Sequence, residues 1–381
     1  MIMRAAPQSF GRGWASHPSR AFTIIELLVA AAITAVLAGI VIAMVGNVST
    51  SLARTSGRLN ATAQARLALD QLTLDLQSAL FREDGNVWMA VDIVDTTNNA
   101  PGLWVLAQTA GNAKPAAAGG SLDLAASRAG LGVNGQFADT RYGMAGVWLR
   151  FFTSSRGANL AANPATISAP VAVGYQIVRR RPSANPQNAA TAYLLHRAEV
   201  RPAADNGRPG VLESGYDITD AAYTTGNTTT NSGAITGDPR SIRVPGSATN
   251  LDSVIADNVI DFGVRCYVRD PASAGGLRLI FPANAGGAPA ATAATRLRGA
   301  LPSHASIAPA DFNQLFPDVI DVLVRVLSDE GAKLIANMEK SPPVPASRPA
   351  QYATNGAWWW GVAEANSQVL TRRIVLNSRS L

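Results

Sequence analysis

"SRAFTIIELLVAAAITAVLAGIVIAMV", residues Ser19 to Val45, is the stretch on which the organisation of this chain turns. From Phe22 to Val45 run 24 residues whose one ionisable side chain is Glu26. As a helix they would extend about 36 Å, enough to cross a bilayer core of about 30 Å. The run is too long for the apolar core of an ordinary signal peptide. Arg4, Arg12 and Arg20 precede it with no acidic residue among them. That asymmetry predicts a single-pass anchor with its N-terminus cytoplasmic and everything after Val45 on the far side.

Glu26 is out of place in such a segment. A carboxylate at mid-membrane depth costs about 2.5–3.5 kcal/mol on insertion scales, so an acid there is by default a functional residue. The plain alternative is a carboxylate near the cytoplasmic end that snorkels to the headgroups and does nothing. The residues around it favour function. "RAFTIIELLVAAAITAVLAGI" resembles the N-terminal signature of type IV pilins and pseudopilins: a basic leader, a small residue, Phe at the first mature position, Glu at the fifth, then an unbroken apolar helix. Here Phe22 is the first mature position and Glu26 the fifth. Ala21 stands where that family usually has Gly before the cleaved bond. The match covers under a tenth of the chain.

The resemblance implies a chemistry. A membrane-embedded prepilin peptidase would cut Ala21–Phe22 on the cytoplasmic side and methylate the new amine of Phe22. Packed side by side in a filament, the Glu26 carboxylate of one subunit would neutralise the amine of its neighbour. Neither charge is tolerable alone in an apolar setting, and pairing makes burial possible. Glu26 is then a docking device and not a catalyst.

Beyond the anchor, the segment to Phe81 keeps a helical period. Leu52 and Leu59 are a heptad apart, and Leu69, Leu72, Leu76 and Leu80 follow at i, i+3, i+7 and i+11 between polar residues. Gly46 and Gly57 are weak points, and Gly85 with Asn86 is the expected stop. The remainder reads as β-structure. Strands are predicted over 87–94, 102–108, 146–153, 171–180, 192–200, 258–268, 277–281, 319–328 and 371–377, with a short helix over 329–338. Ala/Gly- and Thr/Asn-rich stretches between them read as long loops and not as a second domain. The predicted fold class is therefore α+β, a long N-terminal helix on an antiparallel sheet. Its divisions are a leader (1–21), a membrane-spanning then amphipathic helix (22–82) and a β-rich head (83–381).

Composition narrows the function. Charged residues are 15% of the chain, below the roughly 25% of an average domain. The net charge of +6 falls to +3 without the three leader arginines, at 29 basic against 26 acidic residues. No basic stripe or aromatic–basic platform is present, which discounts nucleic acid. One cysteine, Cys266, makes no internal disulfide and reads as a small buried residue. After the leader only His196 and His304 remain, neither beside a Cys, a second His or paired acids, so no metal or other cofactor is expected. There is no P-loop, GxSxG or HExxH. Asp205, Asn206 and Gly207, and Asp217 with Asp220, fit polar turns better than a calcium loop. "GAWWWGV" is the densest aromatic feature. Read as a strand it puts Trp358 and Trp360 on one face and Trp359 on the other, either in the core or with one indole anchoring an interface.

Two head segments, "ARLALDQLTLDLQSAL" and the pair "VIADNVIDFGVRCY" with "LFPDVIDVLVRVLSDEGAKL", are similar to those of J-type minor pseudopilins. The closing "RRIVLNSRSL", with the Ala21–Phe22 junction, is similar to the Verru_Chthon cassette protein C family. These resemblances, with the large loop-rich head, imply a minor structural subunit of a type IV pilus or type II secretion-type pseudopilus. Its implied partners are a prepilin peptidase, the membrane and other pilins or pseudopilins. The alternatives are a single-pass anchored surface-binding protein that never polymerises and, further off, an anchored enzyme.

Overall fold

The computed structural model describes residues 23–93, 147–154, 170–180, 192–200, 216–220, 242, 254–282, 296–339, 348–352, 355–377 and 379–380. The elements in chain order are α1 (Ile24–Gln77), β1 (Leu80–Phe81), β2 (Met89–Ile93), β3 (Val147–Ser154), β4 (Pro170–Arg180), β5 (Ala192–Val200), β6 (Val254–Asp257), β7 (Val259–Arg269), β8 (Leu277–Phe281), β9 (Arg296–Gly299), β10 (Val319–Leu327), α2 (Asp329–Met338), α3 (Asn355–Ala365), β11 (Ser367–Val375) and β12 (Arg379–Ser380). The fold class is α+β, as the sequence predicts. The expected strand over 102–108 lies outside the described residues.

The chain divides into two compact units, Met1–Ala53 and Arg54–Leu381, and the division falls inside α1. In the first unit every described side chain from Thr23 to Leu52 is exposed. Among the described residues α1 is the one helix long and apolar enough to cross a membrane, with a mean hydropathy of 2.8 over its best window.

In the second unit two antiparallel sheets form the core. One has six strands in the order β6-β5-β4-β3-β2-β9, and the other four in the order β11-β10-β7-β8. Strands β2 to β6 run as a meander, each paired with the one before, because antiparallel neighbours need only a return loop. The chain passes from the first sheet to the second at Asn258, the single residue between β6 and β7. Its φ of 58° is left-handed, a conformation that asparagine tolerates better than most side chains. The Asn258 carbonyl accepts the amide of Leu327, which ties the corner to β10.

The second part of α1 lies on this core through a narrow stripe. Gly57, Ala61, Ala65, Ala68, Leu69, Leu72, Asp75 and Leu76 are buried. The leucines are those the sequence period selects, and the small residues before them let the backbone approach. Gly57 is no bend: a Cβ there would be 3.7 Å from the amide of Asp329 at the start of α2. Polar contacts fix the stripe in register. Asp75 accepts from the Tyr175 hydroxyl of β4 and from Arg197 Nε of β5 at 2.6 Å. Burial and the Asp75 charge raise the Tyr175 pKa well above that of an ordinary phenol. Arg372 Nη1 of β11 donates to Asp70 at 2.5 Å and lies 3.1 Å from the Thr73 hydroxyl.

The helix ends earlier than its pattern suggests. The sequence carries it to about Phe81, whereas the structure stops it at Gln77. Thr153 of β3 brings its hydroxyl to the carbonyls of Asp75 (2.9 Å) and Ser78 (3.1 Å), two of the acceptors a helix end leaves open. Leu80 and Phe81 then pair with β12 in parallel. Tertiary partners for the backbone override the local signal.

On the four-stranded sheet one side is apolar through Ile260, Phe262, Val264, Val322 and Val324. The other carries charges placed opposite one another across strands: Asp261 with Arg325, and Asp321 between Arg265 and Arg373. Arg373 grips both oxygens of Asp321 at 2.7 and 2.8 Å, which raises the arginine's pKa further. Four strands, β1, β6, β9 and β12, were not legible in sequence, being only two to four residues long. The strand expected over 371–377 begins earlier, at Ser367.

The largest correction concerns Trp358, Trp359 and Trp360. They stand in α3, a helix and not a strand. All three indoles are buried, at 8, 3 and 2% exposure, which leaves little of them for a partner. Trp359 donates to Glu339 Oε1 at 2.9 Å, and the Tyr193 hydroxyl donates to the same oxygen at 2.5 Å. Ala363 is buried with them, while Asn355, Glu364 and Ala365 of the same helix are exposed. Gly361 makes room for it, since a Cβ there would lie 2.5 Å from Tyr352 Cε1.

Candidate functional site

The candidate site is the start of α1. Thr23 precedes the first helical residue, and Glu26 lies in the first turn. The Glu26 carboxylate turns back on the chain: Oε2 accepts from the Thr23 amide at 3.0 Å and from the Thr23 hydroxyl at 3.1 Å. In return the Thr23 hydroxyl oxygen accepts the Glu26 amide at 3.3 Å. This is a reciprocal capping box of the T-x-x-E kind, in which two of the amides that open a helix are satisfied. The signal for it is local, the "TIIE" that opens the helix. Ala21 and Phe22, the two residues of the expected cleavage, lie outside the described residues.

The geometry states what this end of the chain offers. One carboxylate oxygen is held by the chain's own Thr23, and the other has no partner among the described residues. Beyond it extends an apolar helix whose side chains face outward all round, with Ile24, Ile25, Leu27 and Leu28 among the most exposed. No described residue of the unit Met1–Ala53 covers them. Such a helix is suited to an apolar surrounding.

Comparison with known families agrees with the geometry. Residues 16–42 match the model of the prokaryotic N-terminal methylation motif. The chain carries a type IV pilin-like N-terminal signature. The motif supports a pilin-type protein processed at its N-terminus, with an apolar helix suited to membrane anchoring, and it points to a structural role over an enzymatic one. No curated protein and no solved structure matches the chain.

The other residues weighed from sequence stay apart from the motif. His196 is buried in β5 opposite Gln176 of β4, and His304 is exposed. Asp217 accepts from the Thr219 amide and hydroxyl, each at 2.7 Å, the pattern of a polar turn. Asp205, Asn206 and Gly207 lie outside the described residues. Among the described residues no three His, Cys, Asp or Glu side chains gather to hold a metal ion. Cys266 is in the core, and burial pushes its thiol pKa up, away from reactivity. What sequence reasoning missed altogether is the set of long-range pairs, such as Asp75 with Tyr175 and Arg197. Their members lie about a hundred residues apart, and no local pattern announces them.

Proposed function

We propose that this protein is a minor structural subunit of a type IV pilus or type II secretion-type pseudopilus. A prepilin peptidase cuts Ala21–Phe22, the new Phe22 amine is methylated, and α1 then carries the subunit into the filament. The observation that supports this most is the methylation motif over residues 16–42, placed on a helix that is exposed and apolar on every side. In the membrane, lipid covers that helix, with the N-terminus on the cytoplasmic side and the head across the membrane. In a filament, the helices of neighbours cover it. Glu26 accounts for the choice of neighbour geometry: its free oxygen accepts the amine of the next subunit, and the two charges are neutralised together. The size of the head, far beyond what a shaft subunit needs to cover its helix, favours a minor component.

Substitution of Glu26 tests the reading. Glu26→Ala removes the acid that opposes insertion, so membrane levels should hold or rise slightly. Entry into a sheared filament fraction should fall sharply, because the neighbour's amine has lost its acceptor. Equal incorporation of the variant and the wild type would refute the pairing and favour an anchored protein that does not polymerise.

A further inference from the structure

We propose that α1 carries a second charged contact between neighbouring subunits, Arg66 of one copy against Asp70 of the next, set on an apolar stripe beyond the membrane-spanning segment. The proposal rests on the assembly reading above. Its first support is the stripe. Leu59, Leu67 and Leu74 are exposed in the unit Arg54–Leu381, while Leu69, Leu72 and Leu76 beside them are buried. At 3.6 residues per turn, Leu59, Ala63, Leu67 and Leu74 share an arc with Arg66 and Asp70 of about 100°. The helix thus turns one face to the sheets, and no described residue covers its second, apolar face.

The second support is the charge. Arg66 is exposed and makes no side-chain hydrogen bond or ion pair among the described residues. Asp70, with a side chain 61% exposed, holds Arg372 through Oδ1 at 2.5 Å, and its Oδ2 has no partner among the described residues. The two are one turn apart on the same helix, yet Asp70 is engaged sideways to β11. An arginine without an acid and an acid with an oxygen to spare lie on one apolar face.

The third support is spacing. Copies related by one screw operation are displaced by the same rise at every residue. A Glu26 that neutralises the next subunit's Phe22 amine sets that displacement at about 6 Å, the four-residue separation of the two, give or take about one helical turn for the reach of the side chain. Any displacement in this range brings Arg66 of the next copy level with, or within one turn of, Asp70. The long arginine stem lies along the leucines while its guanidinium meets the carboxylate. The occupant of the face is therefore a second copy of this chain, parallel to the first. The contact needs two copies side by side, so it also bears on whether the subunit occurs singly or in runs.

Two full-length variants test it, Arg66→Asp and Asp70→Arg, made with and without an affinity tag in cells that assemble the wild type. Neighbouring copies are fixed in the filament fraction, and untagged chain is recovered with tagged chain. Each variant alone should give about fivefold less recovery than wild type or lower, since one stripe then carries two acids and the other two bases. Expressed together the two should recover one another near the wild-type level, a restoration that damaged folding would not give. Singles that behave as wild type, or reduced singles that stay reduced together, overturn the inference and leave the assembly reading intact. Wild-type copies that are not recovered together overturn this inference too, whereas the assembly reading itself fails if the wild type is absent from the filament fraction or if Glu26→Ala leaves its level there unchanged.

Discussion

The two parts of α1 are one helix in two different solvents. From Ile24 to Leu52 every side chain is exposed and nearly all are apolar, with Glu26 the one charge. From Arg54 to Gln77 a stripe of small and leucine side chains is buried at 57, 61, 65, 68, 69, 72 and 76, and the exposed faces mix leucines at 59, 67 and 74 with charged and polar residues. The first part has no side covered by a described residue, whereas the second is covered by two sheets. The start of the helix is thus suited to an apolar surrounding such as a membrane, and its end is a structural member of the head. The same contrast separates their acids. Glu26 is held locally by Thr23, whereas Asp75 is committed to Tyr175 and Arg197 within the fold.

Truncation should break that comparison most forcefully. A chain that begins at Arg54 keeps the buried stripe and should be soluble without detergent, with a cooperative melt. A chain that begins at Val87 loses Leu69, Leu72, Leu76 and Leu80, all buried. At about 1.5–3 kcal/mol for each buried leucine, some 6–12 kcal/mol goes with them, comparable to the whole stability of a domain. Light scattering and calorimetry should show aggregation or a broad, non-cooperative transition. A sharp melt of the shorter chain would show that α1 is no part of the core.

A smaller effect sharpens the contrast within the second part of α1. Asp75→Ala strips the acceptor from the Tyr175 hydroxyl and from Arg197, both within the core, and should cost about 3 kcal/mol in urea unfolding of the chain that begins at Arg54. Asp70→Ala, where the acid itself is 61% exposed, should cost no more than about 1 kcal/mol. Equal losses would mean that the exposure of the two acids does not govern their worth.

What was legible in the sequence follows from how local each signal is. The anchor, the motif around Glu26, the leucines at 69, 72 and 76 and the span of α2 are periodic or adjacent patterns, and they were read correctly. Ser328, which accepts the Gly331 amide at 3.2 Å, is a start signal of the same local kind. The tryptophans were misread because aromatic side chains favour strands, and the burial that overrode this preference comes from Tyr193 and Glu339, far along the chain. The end of α1 was misplaced for a related reason: β12 and Thr153 claim the backbone after Gln77 from more than seventy residues away. Of the candidate site, Glu26 was found through its motif. The capping role of Thr23 is equally local, carried by the T-x-x-E spacing.

The central claim is that the N-terminal signature is used, that the chain is cut before Phe22 so that Glu26 can serve a neighbouring amine. Mass spectrometry of the protein extracted from membranes tests it most directly. The account predicts a mature N-terminus at Phe22 carrying one methyl group. An intact N-terminus, or a first residue beyond Val45, would contradict it.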